Sequence, residues 1–262
     1  MTGQPIRFDD GAAYERMMGG WSKLVGERFL DWLGPGAGLS WVDIGCGNGV
    51  FTEQIVQRYA PSEIEGIDPS EGQIKYAVGR PGARGAVFRV GDAMALPYSR
   101  ERFDLATMAL VLFFVPEPAK GVAEMVRVVK PGGTVAAYAW DMFGGGFPLE
   151  PVQSVLRAMG KNPVLPPSPE ASREEVMRAL WIDAGLQDVE TRAFTVERSF
   201  PSFDDFWETS LNGASFKAMQ AKMTPEELAD LKAKVRANLP DGADGKIAYT
   251  SRANAVKGRL PG

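Results

Sequence analysis

Val42-Asp43-Ile44-Gly45-Cys46-Gly47-Asn48-Gly49 is a short apolar run that enters glycines at alternate positions and continues into a helical pattern over 50–59. Glycines in such a loop let the chain turn sharply and let a ligand come within contact distance of main-chain atoms. The dinucleotide fingerprint G-x-G-x-x-G requires its third glycine at position 50, where this chain has Val50. Asp43 stands at the mouth of the loop, where a carboxylate repels a pyrophosphate and attracts an ammonium or a sulfonium. The loop therefore suits a cationic ligand better than a dinucleotide.

Outward from this loop, short apolar runs alternate with helical patterns. The runs are Trp41–Ile44, Ile64–Ile67, Ala86–Val90, Leu105–Val111 and Thr134–Trp140, with helices predicted near 50–59, 70–78 and 118–129. Strand and helix in alternation mean right-handed crossovers and a parallel sheet covered on both faces, a doubly wound α/β arrangement. Lys130-Pro131-Gly132-Gly133 is expected to end one helix and launch the next strand. Before the first strand, Tyr14, Met17, Met18, Trp21, Leu24, Val25, Phe29, Trp32 and Leu33 recur at helical steps, with Gly19-Gly20 as a possible joint. After Asp141 the chain turns loop-like, with Gly144-Gly145-Gly146 as a candidate hinge. Ser172 and Glu175 form an expected capping box for a helix through Ala184, and Thr224-Pro225-Glu226-Glu227 caps another. Val189–Val196 and Lys246–Val256 are the last predicted strands. The expected organisation is a helical cover over 1–37, a binding core over 38–141, and a remainder over 142–262 with a substrate cap at about 142–170 and 201–240.

Of 262 residues, 45% are hydrophobic and 24% charged, which is ordinary globular composition. The net charge of −4 offers no global positive field to a phosphate backbone, so nucleic acid is not an expected partner. One Cys and no His remove the commonest zinc sites and every scheme that depends on imidazole. No metal site is expected. No apolar run approaches the length of a membrane span, and the chain reads as cytoplasmic.

Two further carboxylates extend the loop's message. Asp68 ends the second strand about twenty residues beyond the last glycine, the spacing for accepting both hydroxyls of a ribose. Asp92 follows the third strand, placed to accept from an adenine amino group. A cationic amino-acid end, a ribose and an adenine together describe S-adenosyl-L-methionine (SAM).

On the residues Asp43–Gly49, Asp68-Pro69-Ser70, Gly91-Asp92-Ala93, Phe103-Asp104 and Val129–Gly133, the chain resembles the class I SAM-dependent methyltransferases, particularly the small-molecule enzymes similar to those of ubiquinone and menaquinone biosynthesis. The resemblance is close over 38–141. It implies a Rossmann-like, mostly parallel seven-stranded sheet ending in an antiparallel hairpin and an N-terminal helix over the cleft; the insertion with Phe203, Phe206 and Trp207 reads as a helical cap before the last strand. By the same resemblance, Asp43 with Gly45, Gly47 and Gly49 holds the methionine end, Asp68 the ribose and Asp92 the adenine, and Ala109 and Leu110 line the cofactor after the fourth strand. Cys46, Pro69, Gln73 and Ala93 complete the expected cofactor-binding set.

Tyr14, Trp21, Phe114 and Trp140 are the candidate walls of the acceptor pocket, Trp140 because it ends the fifth strand, where ligands of open α/β sheets bind. Methyl transfer from a sulfonium is a direct displacement, so alignment supplies most of the effect and no catalytic residue is nominated. The expected partner is a small-molecule methyl acceptor. Two other readings share the fold: an NAD-type oxidoreductase, disfavoured by Val50 and Asp43, and a non-catalytic SAM-binding subunit. Methylation of DNA bases is disfavoured, since Met108-Ala109-Leu110-Val111-Leu112 leads to no Asn/Asp-Pro-Pro-Tyr element.

Overall fold

The computed structural model describes residues 11–162, 164–211, 216, 219–240 and 244–262. Its centre is β1 (Ser40–Ile44), buried along its whole length. β1 pairs in parallel with β2 (Glu63–Asp68) on one side and β4 (Phe103–Ala109) on the other. β3 (Val87–Val90) continues outward from β2, and β5 (Val129–Trp140) from β4. β7 (Ile247–Arg259) runs antiparallel between β5 and β6 (Gln187–Phe200). The seven-stranded order is β3-β2-β1-β4-β5-β7-β6. The winding direction reverses between β1 and β4, and crevices for ligands open at such a switch point, beyond the carboxyl ends of the strands.

The short helix α1 (Gly11–Tyr14), one π-helical turn over Glu15–Gly19 and α2 (Gly20–Leu33) follow one another without a break. The expected joint at Gly19-Gly20 is therefore absent. These glycines mark close approaches instead: a Cβ on Gly19 would lie 2.9 Å from Glu15 Cδ, and one on Gly20 3.1 Å from Arg198 Cζ. Trp21, Val25, Phe29 and Leu30 form the buried face of α2. Phe29 packs 4.6 Å from the Tyr138 ring on β5 and 5.9 Å from Phe51 on α3 (Val50–Tyr59). Each such side chain fully buried contributes roughly 1.5–3 kcal/mol, so the N-terminal helix is fastened to the sheet by its apolar face.

α4 (Glu71–Val78) starts where Ser70 Oγ accepts from the Gln73 amide. α5 (Pro118–Val128) precedes β5 directly, and Lys130–Gly133 fall inside β5, where its register with β4 shifts. α6 (Glu150–Ala158) and α7 (Glu174–Asp183) follow. The expected Ser172–Glu175 box does not form. Pro169–Ser172 make a 3₁₀ turn in which Ser172 Oγ donates to the Pro169 carbonyl at 2.7 Å, and α7 begins behind Arg173 without a side-chain cap. Gly144-Gly145-Gly146 is a tied turn, not a hinge. The Gly144 amide donates to Asp141 Oδ1 at 2.8 Å, the Arg252 amide to the Gly146 carbonyl at 2.9 Å, and Arg252 Nε to Asp141 Oδ2 at 2.9 Å.

Between β6 and β7 lie α8 (Phe203–Ser210) and α9 (Pro225–Asn238), the latter opened by a complete Thr224–Glu227 capping box. The aromatic side chains of α8 have their own partners: Phe206 lies 5.4 Å from Phe200 and 5.7 Å from Tyr249, and Trp21 meets the other side of that cluster at 5.0 Å from Tyr249. No described helix is long and apolar enough to cross a membrane.

Candidate functional site

A cavity of about 460 Å³ opens at the β1/β4 switch point. Its floor is the loop after β1, where Gly45, Gly47 and Gly49 all have positive φ (73°, 51° and 82°). A Cβ on Gly45 would lie 2.3 Å from Val111 Cγ2, so no larger residue fits there. Gly45, Cys46 and Gly47 line the cavity. Gly49 does not; it caps α3 and lets that helix approach Ala77 and Phe88.

Asp43 lines the same cavity and is fully buried. Its Oδ2 accepts from Thr52 Oγ1, on the first turn of α3, at 2.6 Å, while Oδ1 has no partner within the protein. Burial pushes its carboxyl up to about 7, with the nearby Asp68 charge adding to the shift and the Thr52 hydrogen bond opposing it. Asp68 also faces the cavity. Its Oδ2 accepts from the Gly47 amide at 3.0 Å and its Oδ1 from the Ser70 amide at 2.9 Å. Burial raises its carboxyl too, against those two hydrogen bonds. Each oxygen keeps a second lone pair, which is what a ribose diol requires. Pro69 and Gln73 complete this wall.

Ala109 and Leu110 lie opposite, at the end of β4. Leu110 has a left-handed backbone (φ 63°), held by a hydrogen bond from its amide to the Tyr138 carbonyl at 2.8 Å. Such conformations cost of order 1–3 kcal/mol in a non-glycine residue and concentrate at ligand sites. The chain leaves β4 through Val111, Phe114 and Pro116, all of which line the cavity, as does Pro167. The Ser168 amide, donating to the Phe113 carbonyl at 3.0 Å, brings that distant proline into place.

Phe114 is thus the one described aromatic of the four expected that reaches the cavity. Trp21 and Trp140 do not line it; they are 1% and 2% exposed, Trp21 against Tyr249 and Trp140 within the sheet's core. Strand and helix spacing placed them inside, where indole area is worth most. The side chain of Tyr14 lies outside the described residues. Asp92 and Ala93 follow β3 beside Asp68, whose carbonyl accepts from the Gly91 amide, but neither lines the cavity, and Asp92 Oδ1 accepts from its own loop at the Met94 amide, 2.8 Å away. From the expected substrate cap at about 142–170 and 201–240, Pro167 is the one described lining residue, and from the expected cover over 1–37 it is Ser22.

The sequence reading missed Ser22, Asn48, Val50, Phe51, Ser70, Val111, Pro116, Tyr138 and Pro167. Asn48 and Val50 were legible beside the glycine loop and Ser70 beside Asp68; the others carry no motif. Asn48 Nδ2 donates to Glu15 Oε2 at 2.5 Å, and Arg80 bridges Glu15 (2.6 Å) and Glu53 (2.8 Å) while its Nε donates to the Asn48 carbonyl at 2.9 Å. The N-terminal segment is thereby pinned to the glycine loop.

An orphaned, fully buried carboxylate oxygen fits an ammonium, the diol-ready Asp68 fits a ribose, and the glycine cradle leaves room for the chain between them. These residues suit SAM. No described cluster of His, Cys, Asp and Glu could hold a metal ion.

Comparison with known proteins agrees. Residues 42–137 match the family model described as "Methyltransferase domain". The malonyl-[acyl-carrier protein] O-methyltransferase of Methylococcus capsulatus is 31% identical over 199 residues, 75% of this chain and 68% of that protein. The chain belongs to the class I SAM-dependent methyltransferases. A demethylmenaquinone methyltransferase of Desulfitobacterium hafniense is 39% identical over 105 residues, a match that spans 38% of this methyltransferase and only 42% of that relative. Phosphoethanolamine N-methyltransferase 2 of Haemonchus contortus, solved in complex with S-adenosyl-L-methionine, shares the fold at a TM-score of 0.60 and 20% identity, over 96% of this chain and 57% of that one. Membership of this family makes SAM the cofactor of this methyltransferase, and the oxidoreductase reading has no support among these relatives.

Proposed function

We propose that this methyltransferase acts on a small, largely apolar acceptor whose nucleophile is already ionised, or acidic enough to ionise on its own, when it enters. The supporting observation is the distribution of titratable groups around the cavity. Asp43, Cys46, Asp68 and Tyr138 belong to β1, the loop after it, the end of β2 and β5, whereas Val111, Phe114, Pro116 and Pro167 form a wall without a proton acceptor. Asp43 and Asp68 are committed to the cofactor's amino-acid end and ribose in this reading, with Pro69 and Gln73 beside them. When bound, SAM supplies an electrophilic methyl group. The chain's part is to exclude water and hold the acceptor in line, and well-oriented pairs gain roughly 7–11 kcal/mol from such alignment. An unionised alcohol would need a general base, and the apolar wall offers none.

Two relatives carry different acceptors in their names, demethylmenaquinone and a malonyl group on an acyl-carrier protein. What they share with this chain supports the transfer rather than the acceptor, which is set by the walls just described. The test is a shape-matched acceptor series of aryl carboxylates, phenols of graded acidity and benzylic alcohols, assayed with methyl-labelled SAM. Rates should rise with acceptor acidity, and the pH at half-maximal rate should follow the acceptor's own ionisation. Turnover of the alcohols with a pH profile independent of the acceptor would mean that the protein supplies a base, and the reading fails.

A further inference from the structure

SAM carries a carboxylate as well as an ammonium at its amino-acid end, and the cavity presents no Lys or Arg among its described lining residues. A buried carboxylate without a cation must be satisfied by neutral donors, since a buried anion with unmet hydrogen-bonding capacity is costly. The side chains of the lining divide clearly on this point. Asn48 commits one of its two amide N–H donors to Glu15, which fixes its side chain toward the N-terminal segment. Thr52, behind the lining, spends its hydroxyl on Asp43. Ser22 is 9% exposed and lines the cavity, and its buried Oγ has no hydrogen-bond partner within the protein.

The position of Ser22 is fixed by its neighbours. Trp21 is held against Tyr249 on one side of α2, and Gly26, one turn beyond Ser22, meets α3 so closely that a Cβ there would fall 2.3 Å from Gln54 Oε1. Gln54 Nε2 donates to the Lys23 carbonyl at 2.9 Å, between the two. The face of α2 that carries Ser22 is thus clamped onto α3, whose first residues, Val50 and Phe51, line the same cavity. Two unpartnered buried oxygens, Ser22 Oγ and Asp43 Oδ1, therefore border one space, one of them a potential donor and the other an acceptor.

We propose that Ser22 is a cofactor-binding residue, its hydroxyl donating to the carboxylate of the amino-acid end whose ammonium meets Asp43. This rests on the reading of the cavity as the SAM site and adds a ligand supplied by the N-terminal segment rather than by the sheet. The segment then forms part of the cofactor's own wall, and the Glu15–Arg80–Asn48 bonds keep it there.

The experiment compares SAM with decarboxylated SAM, which keeps the adenosine, the sulfonium and the ammonium, by titration calorimetry on the full chain. The wild type should prefer SAM. Ser22→Ala should weaken SAM binding by roughly ten- to a hundredfold, the range for a hydrogen bond to a charged group, and leave decarboxylated SAM unchanged. Ser22→Thr, which keeps the hydroxyl, should stay close to the wild type. Equal loss for both ligands in Ser22→Ala, or no loss for either, overturns the assignment, as does a wild type that binds the two equally. A wild type that binds neither ligand instead overturns the cofactor reading on which the assignment rests. The ligand-free melting temperature of each variant, expected to match the wild type, separates lost binding from lost folding.

Discussion

Asp68 Oδ2 accepts a hydrogen bond from the Gly47 amide at 3.0 Å, joining the end of β2 to the glycine loop after β1 across 21 residues of sequence. One carboxylate thus shapes the loop from behind while facing the cavity with its remaining lone pairs. The loop's conformation and the proposed ribose contact share a single residue, so neither can be removed alone.

Asp68→Ala should therefore abolish measurable SAM binding rather than merely weaken it. Two ribose hydrogen bonds to a charged group, at roughly 1.5–3 kcal/mol each, already correspond to a loss of at least about a hundredfold, before the loop relaxes. Calorimetry decides this, and unchanged affinity in the variant would remove Asp68 from the site.

Asp43 gives a pH signature with a definite sign. Its folded-state value of about 7 lies above the ordinary 3.8, so between these limits the folded chain holds a proton that the unfolded chain has released. Stability from this group is fully present below about pH 4 and is lost as pH rises through about 7. The shift corresponds to about 4 kcal/mol at most. Asp43→Asn should raise the ligand-free melting temperature at pH 8 and leave it nearly unchanged at pH 4. The same variant should lose SAM affinity. In the wild type, SAM binding at pH 6.5 should release a proton, visible as a dependence of the binding enthalpy on the buffer's ionisation enthalpy.

Trp140 and Phe114 should separate stability from acceptor recognition. Trp140→Ala removes a buried indole and should lower stability by roughly 3–5 kcal/mol. Phe114→Ala, at the cavity wall, should raise the acceptor's KM while SAM affinity and melting temperature change little. Chemical denaturation and steady-state kinetics on both variants are the check. A kinetic effect of the more conservative Trp140→Phe on the acceptor alone would return Trp140 to the pocket.

The Glu15–Arg80–Asn48 bonds predict where opening begins. Glu15→Gln should speed amide exchange across residues 15–33 severalfold, and S-adenosylhomocysteine should slow it in the wild type. The pair is part-exposed, at 36% for Glu15 and 12% for Arg80, so global stability should shift little. Exchange equally slow in wild type and variant, with and without ligand, would mean that the segment is a rigid wall.

The amino-acid sequence by itself determined the architecture and one half of the site. Alternating strand and helix periods dictate a wound parallel sheet, and Asp43, the three glycines and Asp68 are local features: each owes its position to a strand end and a turn a few residues long. Their chemistry is readable because the spacing and the ligand's needs coincide. The other half was decided by tertiary structure. Trp21 and Trp140 look like pocket walls in sequence, yet an aromatic at a helix or strand period is placed by whichever side of its element packs, and both pack inward. Ser22, Pro116 and Pro167 carry no motif. They border the same cavity as the glycine loop only because Gly26 lets α2 close on α3 and because the Ser168 amide finds the Phe113 carbonyl. Contacts between segments far apart in the chain depend on packing and on hydrogen-bond partners that no local pattern specifies, so the cofactor was legible in the sequence and the acceptor's surroundings were not.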